Sequence, residues 1–149
     1  MAFRSAFNRP LESVSWPTRL ETLVITGKFD QPLHDVDWPA TLRELHLVSL
    51  FNQPIDDVRW PAGLRKMTFS VFNQPIEEVA WPAALENLTF TFDFNQPIEN
   101  VRWPAGLSVL RLGSAFNRPV AGVTWPPALR MLVIGTAFSQ SIRESDLPE

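Results

Sequence analysis

The chain of 149 residues has no cysteine and no tyrosine. Without cysteine there is neither a disulfide nor a thiolate metal site to hold a fold together. That absence does not choose a compartment, because secreted and cytosolic repeat proteins can both lack cysteine. Histidine is scarce, with His34 and His46 the only two. With so few general bases and no glycine-rich phosphate loop, no enzyme and no cofactor is expected. A formal net charge of -3 provides no global basic surface, which excludes nucleic-acid binding through bulk electrostatics. No apolar run approaches the roughly 18 residues of a membrane-crossing helix. The opening Met-Ala-Phe-Arg-Ser-Ala-Phe has no apolar signal-peptide core, which makes the cytoplasm the default compartment.

What the chain does have is 14 prolines and 6 tryptophans within a composition that is 45% hydrophobic. Disordered chains are poor in aromatic and aliphatic residues, so the prolines belong at defined turns of a packed structure. Their placement follows a clock. Phe recurs at Phe7, Phe29, Phe51, Phe72, Phe94, Phe116 and Phe138, at spacings of 22 residues with a single 21. Trp16, Trp38, Trp60, Trp81, Trp103 and Trp125 keep the same period, and each is followed by Pro. A full unit reads Phe-Asn-Gln-Pro-Ile-x-x-Val-x-Trp-Pro-x-x-Leu-x-x-Leu-x-Phe-x-x-x. A fixed period between about 20 and 29 residues is the mark of a leucine-rich-repeat solenoid.

Each unit ends in an alternating apolar pair: Leu23 and Ile25, Leu45 and Leu47, Met67 and Phe69, Leu88 and Phe90, Leu110 and Leu112, Leu132 and Ile134. Period two predicts one short strand per unit with one buried face, hence a parallel sheet. No stretch has the length or periodicity of a helix, and the residue before each Pro is pushed to extended geometry. The return path is therefore expected to be extended, with at most a 3₁₀ turn. The short unit, Phe51 to Val71, lost its residue between Phe69 and Phe72, which places a length-tolerant loop beside the strand.

Asn8, Asn52, Asn73, Asn95 and Asn117 share one position, with Asp30 and Ser139 as variants. An amide carries a donor and an acceptor, so this row is expected to form a ladder that satisfies turn backbone in its own and the neighbouring coil. On that view Asp30→Asn is neutral or stabilising. The six Trp, each with Val two residues before it, read as a second structural ladder in the core rather than a ligand-stacking stripe. A core demands the same side chain at every coil.

The motif Phe-Asn-Gln-Pro-Ile (51–55, 72–76, 94–98), followed by Trp-Pro-x-x-Leu-x-x-Leu, resembles the FNIP repeat, a 22-residue relative of leucine-rich repeats. The resemblance covers essentially the whole chain. It departs from the usual pattern in having Trp before the Pro, where an aliphatic residue is common. It implies a right-handed solenoid with a parallel β-sheet on the concave face, extended and 3₁₀ segments on the convex face and little or no α-helix. It also implies use in protein–protein interaction.

On this reading 1–149 is a single repeat domain of six units and a partial seventh from Phe138. Three rows face outward on the strand side: Glu21, Arg43, Arg65, Glu86, Ser108, Arg130; then Thr22, Glu44, Lys66, Asn87, Val109, Met131; then Val24, His46, Thr68, Thr89, Arg111, Val133. These positions vary while the scaffold does not. The candidate partner-binding residues are therefore Arg43, His46, Arg65, Lys66, Val109, Arg111, Met131 and Val133. Neighbouring coils lie about 4.8 Å apart, so Glu21 with Arg43, Glu44 with Lys66 and Arg65 with Glu86 are expected to pair. Val109, Met131 and Val133 form a candidate apolar patch. Asp35, Asp56, Asp57, Glu77, Glu78 and Glu99 form an acidic edge, which by itself is no closed oxygen cage for a metal.

The partner expected is another protein, or a second copy of the chain. The degenerate seventh unit reads as a C-terminal cap, whereas the N-terminus shows none. The first coil is then shielded by self-association or a partner, or the chain is a segment of a longer array. The alternative to an interaction module is a structural spacer or assembly subunit that packs through its ends and edges.

Overall fold

The computed structural model describes residues 1–148. It contains seven strands: β1 Ala2–Phe3, β2 Thr22–Gly27, β3 Glu44–Ser49, β4 Lys66–Phe69, β5 Asn87–Phe90, β6 Val109–Leu112 and β7 Met131–Ile134. They form one parallel sheet in sequential order. Register is set by the repeat, with Leu23 beside Leu45, Leu45 beside Met67, Met67 beside Leu88, Leu88 beside Leu110 and Leu110 beside Leu132. The only helix among the described residues is a 3₁₀ turn, Glu144–Asp146. This is a leucine-rich-repeat-like β-solenoid.

The motif residues now have separate jobs. In each coil two tight turns close through a carbonyl to the N–H three residues on. The first joins Ile55 to Val58, Ile76 to Val79 and Ile98 to Val101; the second joins Pro61 to Leu64, Pro82 to Leu85 and Pro104 to Leu107. The turns drive Ile, Val and Leu inward and leave the two residues between each pair outside. Pro suits the start of the second turn, because that position must accept a hydrogen bond and need not donate one. The return path, expected to be extended with at most a 3₁₀ turn, thus carries a pair of β-turns.

The core stacks coil on coil. Phe29, Phe51, Phe72, Phe94 and Phe116 are buried, as are the inward strand residues of β2 to β6. Phe29 to Phe51, Phe51 to Phe72 and Phe94 to Phe116 lie 6.1, 6.1 and 6.2 Å apart between ring centroids. That exceeds the spacing of about 4.8 Å between paired strands. Coils that spread away from the sheet leave the sheet on the inner, concave side.

The asparagine ladder is continuous. Asn8 Oδ1 accepts from the Asp30 N–H, Asp30 from Asn52, Asn52 from Asn73, Asn73 from Asn95, Asn95 from Asn117 and Asn117 from Ser139, all at 2.8–2.9 Å. Gln96 and Gln140 reach back to the same Oδ1 in the preceding coil at 3.1 and 3.0 Å. Each rung uses the acceptor oxygen, which is why Asp30 serves as well as asparagine.

The tryptophans sit at the rim of the core. Trp38 is buried, but Trp16, Trp60, Trp81, Trp103 and Trp125 are only partly so. Trp16, Trp38 and Trp60 stack at 6.0 and 5.9 Å. Their ring faces stack coil on coil, and grooves run between neighbouring Trp-Pro corners, one lined by Trp16 and Trp38 and another by Trp103 and Trp125. The indole N–H of Trp125 donates to the Asp146 carbonyl at 2.8 Å. The buried N–H groups of Trp16, Trp38, Trp60, Trp81 and Trp103 have no hydrogen-bond partner. The ladder is therefore apolar stacking with its polar end poorly satisfied.

Candidate binding face

The outward rows expected on the strand face are in register: Thr22, Glu44, Lys66, Asn87, Val109, Met131, and beside them Val24, His46, Thr68, Thr89, Arg111, Val133. The row before the strands also points outward, which strict alternation forbids. The backbone resolves this with a bulge. Arg43 and Glu44 both donate to the Glu21 carbonyl, at 2.8 and 2.9 Å, and Arg65 and Lys66 both donate to that of Arg43, at 2.8 and 3.0 Å. Two successive residues set against one shared acceptor can both face solvent.

Two of the three expected ion pairs form. Lys66 Nζ lies 2.8 Å from Glu44 Oε1, and Arg65 Nη1 lies 2.9 Å from Glu86 Oε1. Glu21 and Arg43 do not pair. The Arg43 guanidinium instead lies over Gly63, in the space that a Cβ there would occupy. A glycine in the neighbouring coil gives this planar group a closer seat than a flexible carboxylate does.

His46 joins the first pair. Its Nε2 lies 3.4 Å from Glu44 Oε2 and its Nδ1 lies 3.0 Å from Thr68 Oγ1. With Nε2 protonated, the ring donates to Glu44 and accepts from the Thr68 hydroxyl. The hydrogen bond from Lys66, and after it the one from His46, hold the Glu44 carboxyl below the usual carboxylate range. Hydroxyl, imidazole and carboxylate stand here in the order of a nucleophilic triad. The strand N–H groups are taken up by the parallel ladder, however, so the sheet offers no donors for an oxyanion.

The apolar patch is shifted from its expected place. Met131 and Val133 are exposed, with Met131 Sδ accepting from Arg111 Nη2 at 3.2 Å, but Val109 is half-buried. Sequence reasoning missed three other exposed apolar residues near the sheet: Val48, Leu50 and Phe92, at 47%, 55% and 51% exposure. They lie at the C-terminal ends of β3 and β5. The signal was present in the variable positions before each repeat Phe, where the other coils carry mostly small or polar residues.

The acidic residues occupy the exposed middles of the first turns, away from the sheet. His34 Nε2 pairs with Asp35 Oδ2 at 3.0 Å. Near them Asp37, Asp57 and Arg59 line a groove of about 520 Å³ against Trp38 and Pro61. Among the described residues no three His, Cys, Asp or Glu side chains converge to hold a metal ion. Among the described residues no helix is long and apolar enough to cross a membrane.

No protein-family model and no curated protein matches the chain. A solved structure does: the crystal structure of CroV588, described as a novel circular LRR protein structure, superposes with a TM-score of 0.86 at 33% sequence identity. The match covers 99% of this chain and 22% of that one, so this chain spans under a quarter of its length.

Proposed function

We propose that the chain is a non-enzymatic protein–protein interaction module that binds through its concave strand face. The observation that carries this reading is the contrast within single strands. The inward row repeats Leu, Ile, Met or Phe and is buried in β2 to β6, whereas the outward rows mix charged, polar and apolar residues from coil to coil and remain partly or fully exposed. Solenoids commonly use such an extended concave surface for recognition. The proposed contact residues are Arg43, His46, Arg65, Lys66, Val109, Arg111, Met131 and Val133. The repeat is assigned to the FNIP type on its Phe-Asn-Gln-Pro-Ile motif, and 1–149 to one repeat domain. Mass measured by light scattering across a dilution series, with and without a candidate partner, tests the reading. A monomer whose partner binding is lost on Arg65→Glu and Arg111→Glu supports it. Binding indifferent to both substitutions sinks it.

A second reading is a spacer or assembly subunit, favoured by the description of the similar solved chain as circular. Oligomers that grow with concentration and ignore the face substitutions would support it.

A further inference from the structure

We propose that the partner of this face is an acidic protein segment carrying apolar anchors. The proposal rests on the strand-face reading above and names the partner's chemistry.

The three outward rows hold five cations, Arg43, Arg65, Lys66, Arg111 and Arg130, against three carboxylates, Glu21, Glu44 and Glu86. That is a net +2 on a chain of net -3, so the face is positive while the rest of the surface is negative. Pairing sharpens the asymmetry. Glu44 and Glu86 are already held by Lys66 and Arg65. Among the described residues Arg43, Arg111 and Arg130 have no carboxylate within ion-pair distance.

Two of these three are held in place by uncharged neighbours. Arg43 is seated over Gly63, and Arg111 donates to the thioether of Met131. A guanidinium fixed this way keeps most of its N–H groups open for a carboxylate and loses little side-chain freedom on binding. The chain's own acidic turns lie away from the sheet and do not reach these cations.

The exposed apolar residues lie along the C-terminal margin of the sheet, Val48 within β3 and Leu50 and Phe92 just past the strand ends. Val48 points outward at the end of β3, opposite Thr26, with Leu50 beyond it and Phe92 two coils further on. From the coil of Arg43 to that of Arg130 is four coil spacings, about 19 Å, which an extended segment of about six residues spans. Carboxylates on one side of such a segment meet the arginines, and side chains of alternate direction meet the apolar margin.

The test uses three labelled peptides in fluorescence anisotropy with the full chain: Glu alternating with Leu and Phe, and the same peptide with Gln or Lys in place of Glu. The acidic peptide is expected to bind, with salt weakening it, and the Gln form to bind about tenfold more weakly. Arg43→Gln with Arg111→Gln, or Phe92→Ser, should each lower affinity for the acidic peptide at least several-fold. Glu99→Gln, on the acidic edge, should not. Thermal melts check that each variant is folded, and Arg130→Gln replaces any that is not.

Binding of the Gln or Lys peptide in preference, abolished by the face substitutions, overturns the acidic class and leaves the strand-face reading standing. Acidic-peptide binding that survives the face substitutions overturns both. Binding by none of the three overturns the acidic class. Self-association broken by Glu77→Gln with Glu78→Gln would assign the cations to the acidic edge of a second copy and overturn the proposal.

Discussion

Two rows run the length of this solenoid, and they obey different rules. In the asparagine ladder every rung from Asn8 to Ser139 is closed at 2.8–2.9 Å. On the strand face, contacts between side chains of neighbouring coils close at some rungs and not at others, and one expected pair, Glu21 with Arg43, is replaced by a seat on glycine. The acceptor in the ladder serves a backbone N–H that recurs identically in each coil, so the side chain must recur too. On the face the partner is another side chain or water, and the position is free to vary. Repetition therefore marks architecture, and variation marks the surface available for recognition.

The comparison is tested most strongly at the middle of the ladder. Asn73→Ala removes the acceptor of the Asn95 N–H and one acceptor of the Gln96 amide. Left unpaired in a half-buried turn, these groups should cost about 1–3 kcal/mol in a denaturant titration. An unchanged midpoint would mean that water replaces the rung and that the two rows do not differ. Arg65→Glu should cost less than about 1 kcal/mol, because its pair with Glu86 is exposed on both sides. If it instead costs as much as Asn73→Ala, the face is as structural as the ladder.

Glu44 offers a test in pH. Its folded-state pKa lies below its ordinary value, so it contributes stability above the ordinary carboxylate range that is lost as pH falls through the depressed value. Lys66→Gln removes the largest cause. The Glu44 carboxyl, followed by NMR, should then titrate at higher pH, and the protein should lose less stability on acidification. The smallest effect belongs to Asp30→Asn. The rung uses one acceptor oxygen, which asparagine keeps, so melting should change by no more than about 0.5 kcal/mol equivalent. A clear loss would show that the charge at Asp30, rather than the acceptor alone, supports Asn52.

Much of this is legible in the sequence alone. The 22-residue clock placed all six full-unit strands, their inward pairs and their register, and the single 21-residue unit keeps that register. Two of the three face pairs followed from coil spacing alone. The tryptophans were legible only as a row. Identity at every coil says that a site is structural, but not how deep it lies, and these side chains stop at the rim, with the N–H groups of all but Trp125 unpartnered. Leu50 and Phe92 escaped notice because a residue at a variable loop position carries no periodic signal of its exposure.

The sequence by itself determined the solenoid, since a periodic chain can bury its apolar stripe only by stacking equivalent residues. It also determined which positions are scaffold. Only the tertiary structure decided which charges on the face are left over. That depends on where long flexible side chains settle among neighbours about 4.8 Å away in adjacent coils, a choice between contacts of similar energy that no single unit encodes. Arg43 over Gly63 and Arg111 against Met131 are such choices, and they leave those cations without a carboxylate on the strand face.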